Sequence, residues 1–301
     1  MFDQATSLRK VVKKIAKKEA KEIKLQKRSA RVITVTSGKG GVGKTNVTLN
    51  LAIKMQREGK RVVILDADLG LANIEVLFGI IPKSNLLEVV RGQKIITEVI
   101  TEGPEGIKFI SGGSGIQELT NLNELQLNYF IQNLSLLDKM ADVILIDTGA
   151  GISETVLTFV KTADDVVLVC TPEPTAITDA YAMLKVLKSK SDEEVKNIKL
   201  IINSIQSKEE GNEISEKLQN VAEKFLDMTV EDIGRIPFDP MLSKAVKMQR
   251  PITLEYPKSQ FSKALDKVVE NLSVKEEKKG FEGISSFIKH FLGNFSKKEV
   301  E

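Results

Sequence analysis

Five short runs of β-branched and aliphatic residues recur between residues 31 and 204, and helical stretches separate them. The runs read RVITVTS, RVVILDAD, DVILIDT, DVVLVCT and IKLIINS. Continuous apolar runs of this length, alternating with helices, are typical of parallel strands that are buried on both faces. Two further candidates, IKFIS at 107–111 and VEDIGRIP at 230–237, bring the number to about seven. We therefore expect a three-layer α/β/α fold around a mostly parallel sheet of about seven strands.

The cysteine and histidine content excludes several classes of chemistry. The 301 residues include one cysteine, Cys170, and one histidine, His290. No intrachain disulfide can form, a multi-His or Cys-ligated metal site cannot be assembled within one chain, and Ser-His-Asp or Cys-His catalysis has almost no material. Cys170 ends an apolar run, so we expect a buried core thiol. Chemistry must rest on carboxylates, lysines and backbone amides, and a reducing, cytoplasmic compartment is expected.

The charge of the chain is unevenly distributed. The formal net charge is +3, but residues 1–31 hold 11 Lys and Arg against Asp3, Glu19 and Glu22, which leaves +8 there and −5 on the remainder. No run of 18 or more apolar residues is present, and the N-terminus lacks the apolar stretch of a secretory signal. We therefore expect a chain that neither spans a membrane nor is secreted by that route.

A glycine-rich loop lies between the first predicted strand and a helical stretch. It reads GKGGVGKT and fits the pattern G-x-x-x-x-G-K-T. In such a P-loop, backbone N–H groups surround phosphate oxygens, Lys44 reaches the β- and γ-phosphates, and the Thr45 hydroxyl ligates Mg²⁺. The sequence thus predicts a P-loop NTPase, with a glycine-rich turn without a ligand as the alternative. The expected nucleotide-binding residues of the loop are Gly38, Lys39, Gly40, Gly41, Val42, Gly43, Lys44 and Thr45.

Three aspartates stand at the ends of two other predicted strands. Asp147 ends DVILIDT, while Asp66 and Asp68 end RVVILDAD. The carboxyl ends of parallel strands meet at one edge of a sheet, which is where the P-loop lies. Asp147 is expected to hold the Mg²⁺ shell as the Walker B carboxylate, and the convergence of all three indicates metal and water handling. Each aspartate taken alone is also compatible with a helix cap or a loop position.

A second lysine, Lys39, follows the first glycine of the loop, and by this feature the chain resembles the MinD/ParA family of deviant Walker A ATPases. In that family the second lysine reaches across a nucleotide-sandwich dimer to the partner's phosphates, which couples ATP binding to dimerisation. The resemblance implies ATP and Mg²⁺ as cofactors and an ATP-dependent homodimer. The catalytic residues that it implies are Lys39, Lys44 and Asp68.

Further segments resemble the switches of the same family. LDADLGLANIEVLFG is similar to switch I, in which Asp68 would position the attacking water and Asp66 would join Thr45 and Asp147 near Mg²⁺. DTGAGIS is similar to switch II, and CTPEPTAITDAYAMLK and IGRIPFDPMLSKAV extend the likeness. The resemblance implies that the switch II backbone senses the γ-phosphate at Gly149, Ala150 and Gly151. It also implies that Asn203 and Pro237 line the adenine pocket.

The N-terminal segment DQATSLR resembles the DQAxxLR motif of the FlhG (FleN, YlxH) group of flagellar-number regulators within this family. In that group the segment activates FlhF, a signal-recognition-type GTPase that places flagella. From Leu8 to about Lys27, apolar residues recur at helical spacing among lysines, which predicts a basic amphipathic helix. That helix either stays solvated or meets an acidic partner or anionic surface. The matching motif positions are Asp3, Gln4, Ala5, Leu8 and Arg9.

A second amphipathic pattern follows the charged stretch SVKEEKKG at 273–280. The pattern predicts a helix with one apolar face, and such a face occurs both in core-packing helices and in membrane-surface helices. We expect the charged stretch to detach the helix, and Lys289, His290, Lys297 and Lys298 can meet anionic headgroups, which favours the membrane. In the FlhG group a C-terminal amphipathic helix targets the membrane. The apolar face comprises Phe281, Ile284, Phe287, Ile288, Phe291, Leu292 and Phe295.

These observations predict an N-terminal activator arm at 1–30, an ATPase domain at 31–272, a linker at 273–280 and a membrane-targeting helix at 281–296. The hypothesis is an ATPase switch whose ATP dimer binds the anionic cytoplasmic face of the cell membrane, while the arm stimulates an FlhF-type GTPase. Flagellar basal-body (C-ring) components are candidate partners. A ParA-like DNA partition ATPase is an alternative that the basic arm permits and the −5 balance elsewhere disfavours. A MinD-type division-site regulator is another, although MinD lacks the N-terminal extension.

Overall fold

The computed structural model describes residues 29–68, 73–113, 115–118, 124–189, 197–273, 281 and 283–296. The predicted GTPase-activating segment and basic helix lie outside the described residues. So do residues 274–280 of the charged stretch, Lys297, Lys298 and the side chain of Phe295.

Eight strands of the described residues form a single sheet. In chain order they are β1 (Arg31–Thr36), β2 (Val62–Ala67), β3 (Thr101–Glu102), β4 (Lys108–Ser111), β5 (Val143–Thr148), β6 (Asp165–Cys170), β7 (Ile198–Ile205) and β8 (Val230–Pro237). Across the sheet their order is β3-β4-β2-β5-β1-β6-β7-β8. All neighbours are parallel except β3, which pairs antiparallel with β4. The predicted three-layer, mostly parallel architecture is confirmed.

Helices connect these strands and cover both faces of the sheet. Several begin at side-chain caps: Ser153, Ser207 and Asp239 each accept a hydrogen bond from a first-turn amide. Within the described residues the α-helices are α1 (Lys44–Arg57), α2 (Asn73–Phe78), α3 (Leu86–Val90), α4 (Ile96–Val99), α5 (Gly115–Glu118), α6 (Glu124–Met140), α7 (Glu154–Thr162), α8 (Pro174–Ser189), α9 (Lys208–Leu226), α10 (Pro240–Lys247), α11 (Ile252–Glu255), α12 (Gln260–Ser273) and α13 (Gly283–Ser296).

The central strands are buried on both faces, as their continuous apolar runs predict. Every residue of β1, β2, β5 and β6 is buried. Successive side chains of a strand point to opposite faces, so Val32 belongs to one hydrophobic core and Ile33 to the other. The core that contains Ile33 includes residues of α1 and α12, and the core that contains Val32 includes residues of α6 and α13 and Phe159 of α7. Two cores on one sheet hold the carboxyl ends of β1, β2 and β5 in fixed register.

Strand β3 is the element that the sequence did not reveal, and it raises the strand number from about seven to eight. It contains only Thr101 and Glu102, which pair with Phe109 and Lys108 of β4. Two residues are too few to produce an alternating pattern, so periodicity has nothing to detect.

Helix α13 is docked on the domain, and the expectation that the charged stretch detaches it is wrong for this structure. Its apolar residues lie against α6, α7 and β1. The side chains of Ile284, Phe287, Ile288, Phe291 and Leu292 are at most 5% exposed, while Lys289 and His290 face solvent. Phe281, just before the helix, is half-buried. No helix in the described part of the chain is both long and apolar enough to cross a membrane.

Three phenylalanine rings form the centre of this docking contact. The ring of Phe159 on α7 lies 4.5 Å from that of Phe291 and 5.9 Å from that of Phe287, between centroids. Aromatic pairs at these separations add about 0.5–1.5 kcal/mol beyond the area that they bury. Helix α7 therefore supplies the aromatic part of the surface on which α13 docks, beside α6.

We expect Phe159→Ala to lower the free energy of unfolding by about 3–5 kcal/mol, because it empties space between two buried rings. Urea unfolding followed by far-UV circular dichroism measures the change. Phe225→Ala is the matched control: Phe225 is 72% exposed on α9, so its loss should stay within about 0.5 kcal/mol. Equal losses in the two variants would contradict the docked arrangement.

Candidate nucleotide-binding site

The glycine-rich loop joins the end of β1 to the start of α1. Gly41 and Gly43 adopt φ angles of 82° and 84°, which favour glycine. At Gly38 a Cβ atom would lie 2.3 Å from the backbone carbonyl carbon of Asp179 on α8, so this position also requires glycine. The loop therefore turns tightly and presents the N-terminus of α1, a site suited to phosphate.

Lys44 and Asp147 form a buried ion pair beneath the loop. Lys44 Nζ donates to Asp147 Oδ1 at 3.0 Å, and Thr48 Oγ1 donates to the same oxygen at 3.0 Å. The second oxygen, Asp147 Oδ2, is buried and has no hydrogen-bond partner within the described residues. One carboxylate oxygen thus holds the P-loop lysine, while the other is left to accept a further ligand.

Asp66 lies directly beside Asp147 because β2 and β5 pair in register at these two residues. Its oxygens accept hydrogen bonds from the backbone amides of Asp68, at 3.1 Å, and Ile74, at 3.2 Å. Burial, reinforced by the charge of Asp147, raises the pKa of Asp66 to about 7. Two neighbouring buried carboxylates are a site that a cation would stabilise.

The residues present fit Mg²⁺. The orphaned oxygen of Asp147, the adjacent Asp66 carboxylate and the Thr45 hydroxyl in the first turn of α1 supply hard oxygen ligands. Among the described residues, no three His, Cys, Asp or Glu side chains come together as an all-protein cage. Mg²⁺ in nucleotide sites usually takes its remaining ligands from phosphates and water, which matches this sparse donor set.

The predicted switch residues lie next to each other at the same edge of the sheet. Asp68 Oδ2 accepts a hydrogen bond from Asn73 Nδ2 at 3.2 Å, and a Cβ on Gly149 would lie 3.7 Å from Asp68 Oδ1. The Gly151 amide donates to the Ser37 carbonyl at 2.9 Å, so the switch II backbone is tied to the base of the P-loop. Ala150, between these glycines, is exposed.

Lys39 points away from Lys44 and occupies the surface. Its Nζ donates to Glu173 Oε2 at 2.7 Å and to Thr175 Oγ1 at 2.8 Å. The side chain is 36% exposed, whereas that of Lys44 is 8% exposed. The two lysines of the loop are therefore held in different environments, one inside the phosphate site and one at its rim.

A cavity of about 610 Å³ opens beside the P-loop towards β7 and β8. Asn203 and Pro237 line it, as do Gly41, Val42 and Gly43. Asn203 Nδ2 donates to the Val42 carbonyl at 2.8 Å, so this residue also supports the loop. Asp239 caps α10 and accepts a hydrogen bond from the Phe261 amide at 3.1 Å, which fixes the wall after β8. The volume and position suit a purine nucleoside attached to phosphates at the P-loop.

The structure brings the predicted P-loop, metal and switch residues together, and their catalytic and binding roles stay predictions. Sequence patterns did not identify the partners that orient these side chains. Thr48 lies one turn along α1 from Lys44, and no motif marked it. The other orienting partners that the sequence analysis missed are Asn73, Glu173 and Thr175.

We expect Asp66→Asn to stabilise the nucleotide-free protein at pH 8 by about 2–4 kcal/mol, and to lose this advantage as the pH falls towards 4. The folded pKa of about 7 lies above the ordinary 3.8, so ionising Asp66 between these values costs folding free energy that asparagine avoids. Urea unfolding at pH 5 and pH 8 measures the difference. A gain that is the same at both pH values would contradict the raised pKa.

Known proteins are similar in sequence to this chain. The family model described as "ParA: NUBPL iron-transfer P-loop NTPase" matches residues 28–273. The antiactivator FleN of Pseudomonas aeruginosa is 41% identical over 242 residues, covering 80% of this chain and 86% of FleN. The flagellum site-determining protein YlxH of Helicobacter pylori is 35% identical over 272 residues, covering 88% and 91% of the two chains.

Solved structures agree with these relatives. The MinD chain in the MinC:MinD cell division complex of Aquifex aeolicus superposes with a TM-score of 0.65 at 26% identity, covering 81% of this chain and 95% of that one. MinD of Pyrococcus horikoshii complexed with Mg-ADP gives a TM-score of 0.63 at 25% identity, covering 81% and 96%. The sequence matches, the shared fold and the two-lysine P-loop identify this chain as a member of the ParA/MinD family of P-loop NTPases.

Proposed function

We propose that this protein is an ATP-dependent dimerising ATPase that regulates flagellar number and placement. Its ATP dimer associates with the anionic cytoplasmic face of the cell membrane through α13, and its N-terminal arm stimulates an FlhF-type GTPase. The observation that carries the proposal is the separation of the two P-loop lysines: Lys44 is buried on Asp147, while Lys39 lies at the surface on Glu173.

Each residue of the site has a definite part in hydrolysis. Lys44 is positioned to neutralise phosphate charge, and Asp147 orients it from below. Asp68, fixed by Asn73, orients the attacking water. When bound, Mg²⁺ would neutralise the charge on the β- and γ-phosphates, held by Thr45 and Asp147 with Asp66 nearby. Catalysis of this kind is mainly positioning and electrostatic stabilisation.

The surface location of Lys39 supports a role in a second copy of the chain. Its ion pair with Glu173 is partly exposed, and such pairs contribute only about 0–1 kcal/mol. A phosphate group that carries more charge than one carboxylate would compete effectively for this ammonium. Moving Lys39 from Glu173 to a partner's nucleotide thus costs little free energy. Such a contact would make dimerisation depend on ATP.

Switch II is connected directly to α7, one of the two helices that receive α13. Gly151 is tied to Ser37 of the P-loop region, and two residues later Ser153 caps α7. Phe159 of α7 then contacts Phe287 and Phe291 of α13. A nucleotide-dependent shift of switch II would therefore move the surface on which α13 is docked. This connection supports a membrane helix whose release depends on the nucleotide state.

Docking on the domain and insertion into a membrane compete for the same apolar face. Burying each of these large side chains is worth about 1.5–3 kcal/mol in either place, so the exchange between the two is close to balanced. Small differences of a few kcal/mol then decide the location. An ATP dimer would present two such helices, and this second attachment raises avidity by about 10²–10⁴ where geometry permits.

The flagellar role is supported by the relatives. One similar protein is called an antiactivator, FleN, and another a flagellum site-determining protein, YlxH. Both matches cover at least four fifths of this chain and of the relative. The motif DQATSLR at residues 3–9 supports the arm as the GTPase-stimulating segment. Components of the flagellar C-ring are further candidate partners in this role.

Asp68→Ala is expected to bind ATP and dimerise while turnover falls at least about 100-fold, because the water loses its orienting carboxylate. Lys39→Ala should bind ATP and remain a monomer, and Lys44→Ala should lose nucleotide affinity. Analytical ultracentrifugation with ADP or ATP and Mg²⁺ gives the oligomeric state, and co-sedimentation with anionic liposomes gives membrane binding.

Among wild type and the Asp68, Lys39 and Lys44 variants, only the ATP-bound dimers of wild type and Asp68→Ala should pellet with the liposomes. Phe225→Ala, which alters an exposed ring far from α13, serves as the control and should behave as wild type. Equal sedimentation of ATP dimer and monomer would remove the membrane switch from the proposal. A fully active Asp68→Ala protein would remove the assignment of that residue.

The 301-residue chain is expected to raise GTP turnover by an FlhF-type GTPase several-fold, and Arg9→Ala should abolish most of that stimulation. Arg9 is a matching motif position, whereas Lys13 carries the same charge outside the motif. Lys13→Ala is therefore the control, and steady-state GTP hydrolysis is the measurement. Equal losses in the two variants would assign the effect to general basicity rather than to the motif.

A further inference from the structure

The root of the N-terminal arm and the start of α13 meet on the same side of the domain. The arm joins β1 through Ser29, Ala30 and Arg31. Each of these residues contacts either the C-terminal part of the chain or the side chain on α6 that binds it. Arg31 Nη1 donates to the Leu272 carbonyl at 2.9 Å, and its guanidinium lies 5.6 Å from the centre of the Phe281 ring. Two segments some 250 positions apart in sequence are therefore packed together.

One carboxylate holds both of these segments. Asp138, in the last turn of α6, accepts a hydrogen bond on Oδ1 from the Ala30 amide at 3.1 Å and from the Ile284 amide at 3.0 Å. Its Oδ2 accepts one from Ser285 Oγ at 3.2 Å. First-turn amides of a helix have no partner within the helix, and an acidic side chain there also interacts favourably with the helix dipole. Asp138 thus caps α13 from another helix.

The two segments are packed closely together at this point. Gly283 has a φ of 80°, and a Cβ there would lie 2.6 Å from Asp138 Oδ1 and 2.7 Å from Ser29 Cβ. Ser29 and Gly283 are therefore in close contact across the carboxylate. When α13 leaves its groove, the root of the arm loses this neighbour and Asp138 loses two of its three hydrogen-bond donors.

We propose that Asp138 couples the two ends of the chain, so that docked α13 holds the root of the arm on α6 and undocked α13 releases it. The biological role of this coupling rests on the proposed function, in which the arm is the GTPase-stimulating segment and α13 is the membrane helix. Coupling between sites is reciprocal. A partner that binds the arm and displaces residues 29–30 therefore also weakens the docking of α13, by a factor typically between 5 and 150.

The test is hydrogen–deuterium exchange at single amides of the full chain, without nucleotide, lipid or partner. Phe291→Ala loosens α13 far from Asp138, and coupling predicts that exchange of the Ala30 amide rises about ten-fold together with that of Ile284. Asp138→Ala should raise both to a similar extent. Asp142→Ala is the matched control, because its side chain pairs with Arg61 and not with either chain end.

Faster exchange in α13 with an unchanged Ala30 amide in Phe291→Ala would overturn the coupling. Slow-exchanging amides of β5 report whether a variant has lost its fold. If Phe291→Ala fails that check, Leu292→Ala replaces it, since Leu292 is buried on α13 about two turns beyond the residues that Asp138 binds and its truncation removes fewer atoms. Because no lipid is present, failure of membrane binding and failure of the coupling remain separate results.

Discussion

The register of β2 against β5 places two carboxylates, Asp66 and Asp147, side by side in the interior, with one lysine above them. Two buried negative charges and one positive charge leave a net negative charge in the interior, which is unfavourable for the folded protein. Taking a proton on Asp66 is one solution, and the raised pKa of Asp66 shows that the site is close to it. A divalent cation is the other. Binding of a metal–nucleotide complex would therefore compensate the buried negative charge of this site.

Two structural connections lead from this charged centre to other parts of the molecule. Through the P-loop, Lys39 carries a positive charge to the surface, where a second copy of the chain can be met. Through switch II, the backbone at Gly151 leads into α7 and so to the aromatic contact with α13. Both connections begin within a few residues of the phosphate site. In the proposed function, one bound nucleotide would therefore influence both the oligomeric state and the docking of α13.

Sequence reasoning succeeded where a local pattern determines structure. Five continuous apolar runs and two weaker candidates located seven of the eight strands, and the rule that parallel strands end together placed Asp66, Asp68 and Asp147 at one edge. It failed where the answer depends on distant residues. The apolar stripe of α13 is the same for a helix that meets lipid and one that meets Phe159, so the pattern cannot name its receptor. The orienting contacts of Asn73 and Glu173 likewise arise only when loops from different strands converge.

The two-residue strand β3 has a consequence for how copies of this chain can associate. An open parallel sheet invites further strands at its edges, and a long unpaired edge is a template for aggregation. Here the edge beyond β4 is closed by a short antiparallel piece that includes the charged Glu102. Sheet extension from that side is therefore suppressed. The dimer proposed above would therefore form without extending the sheet at this edge, through the P-loop surface that carries Lys39.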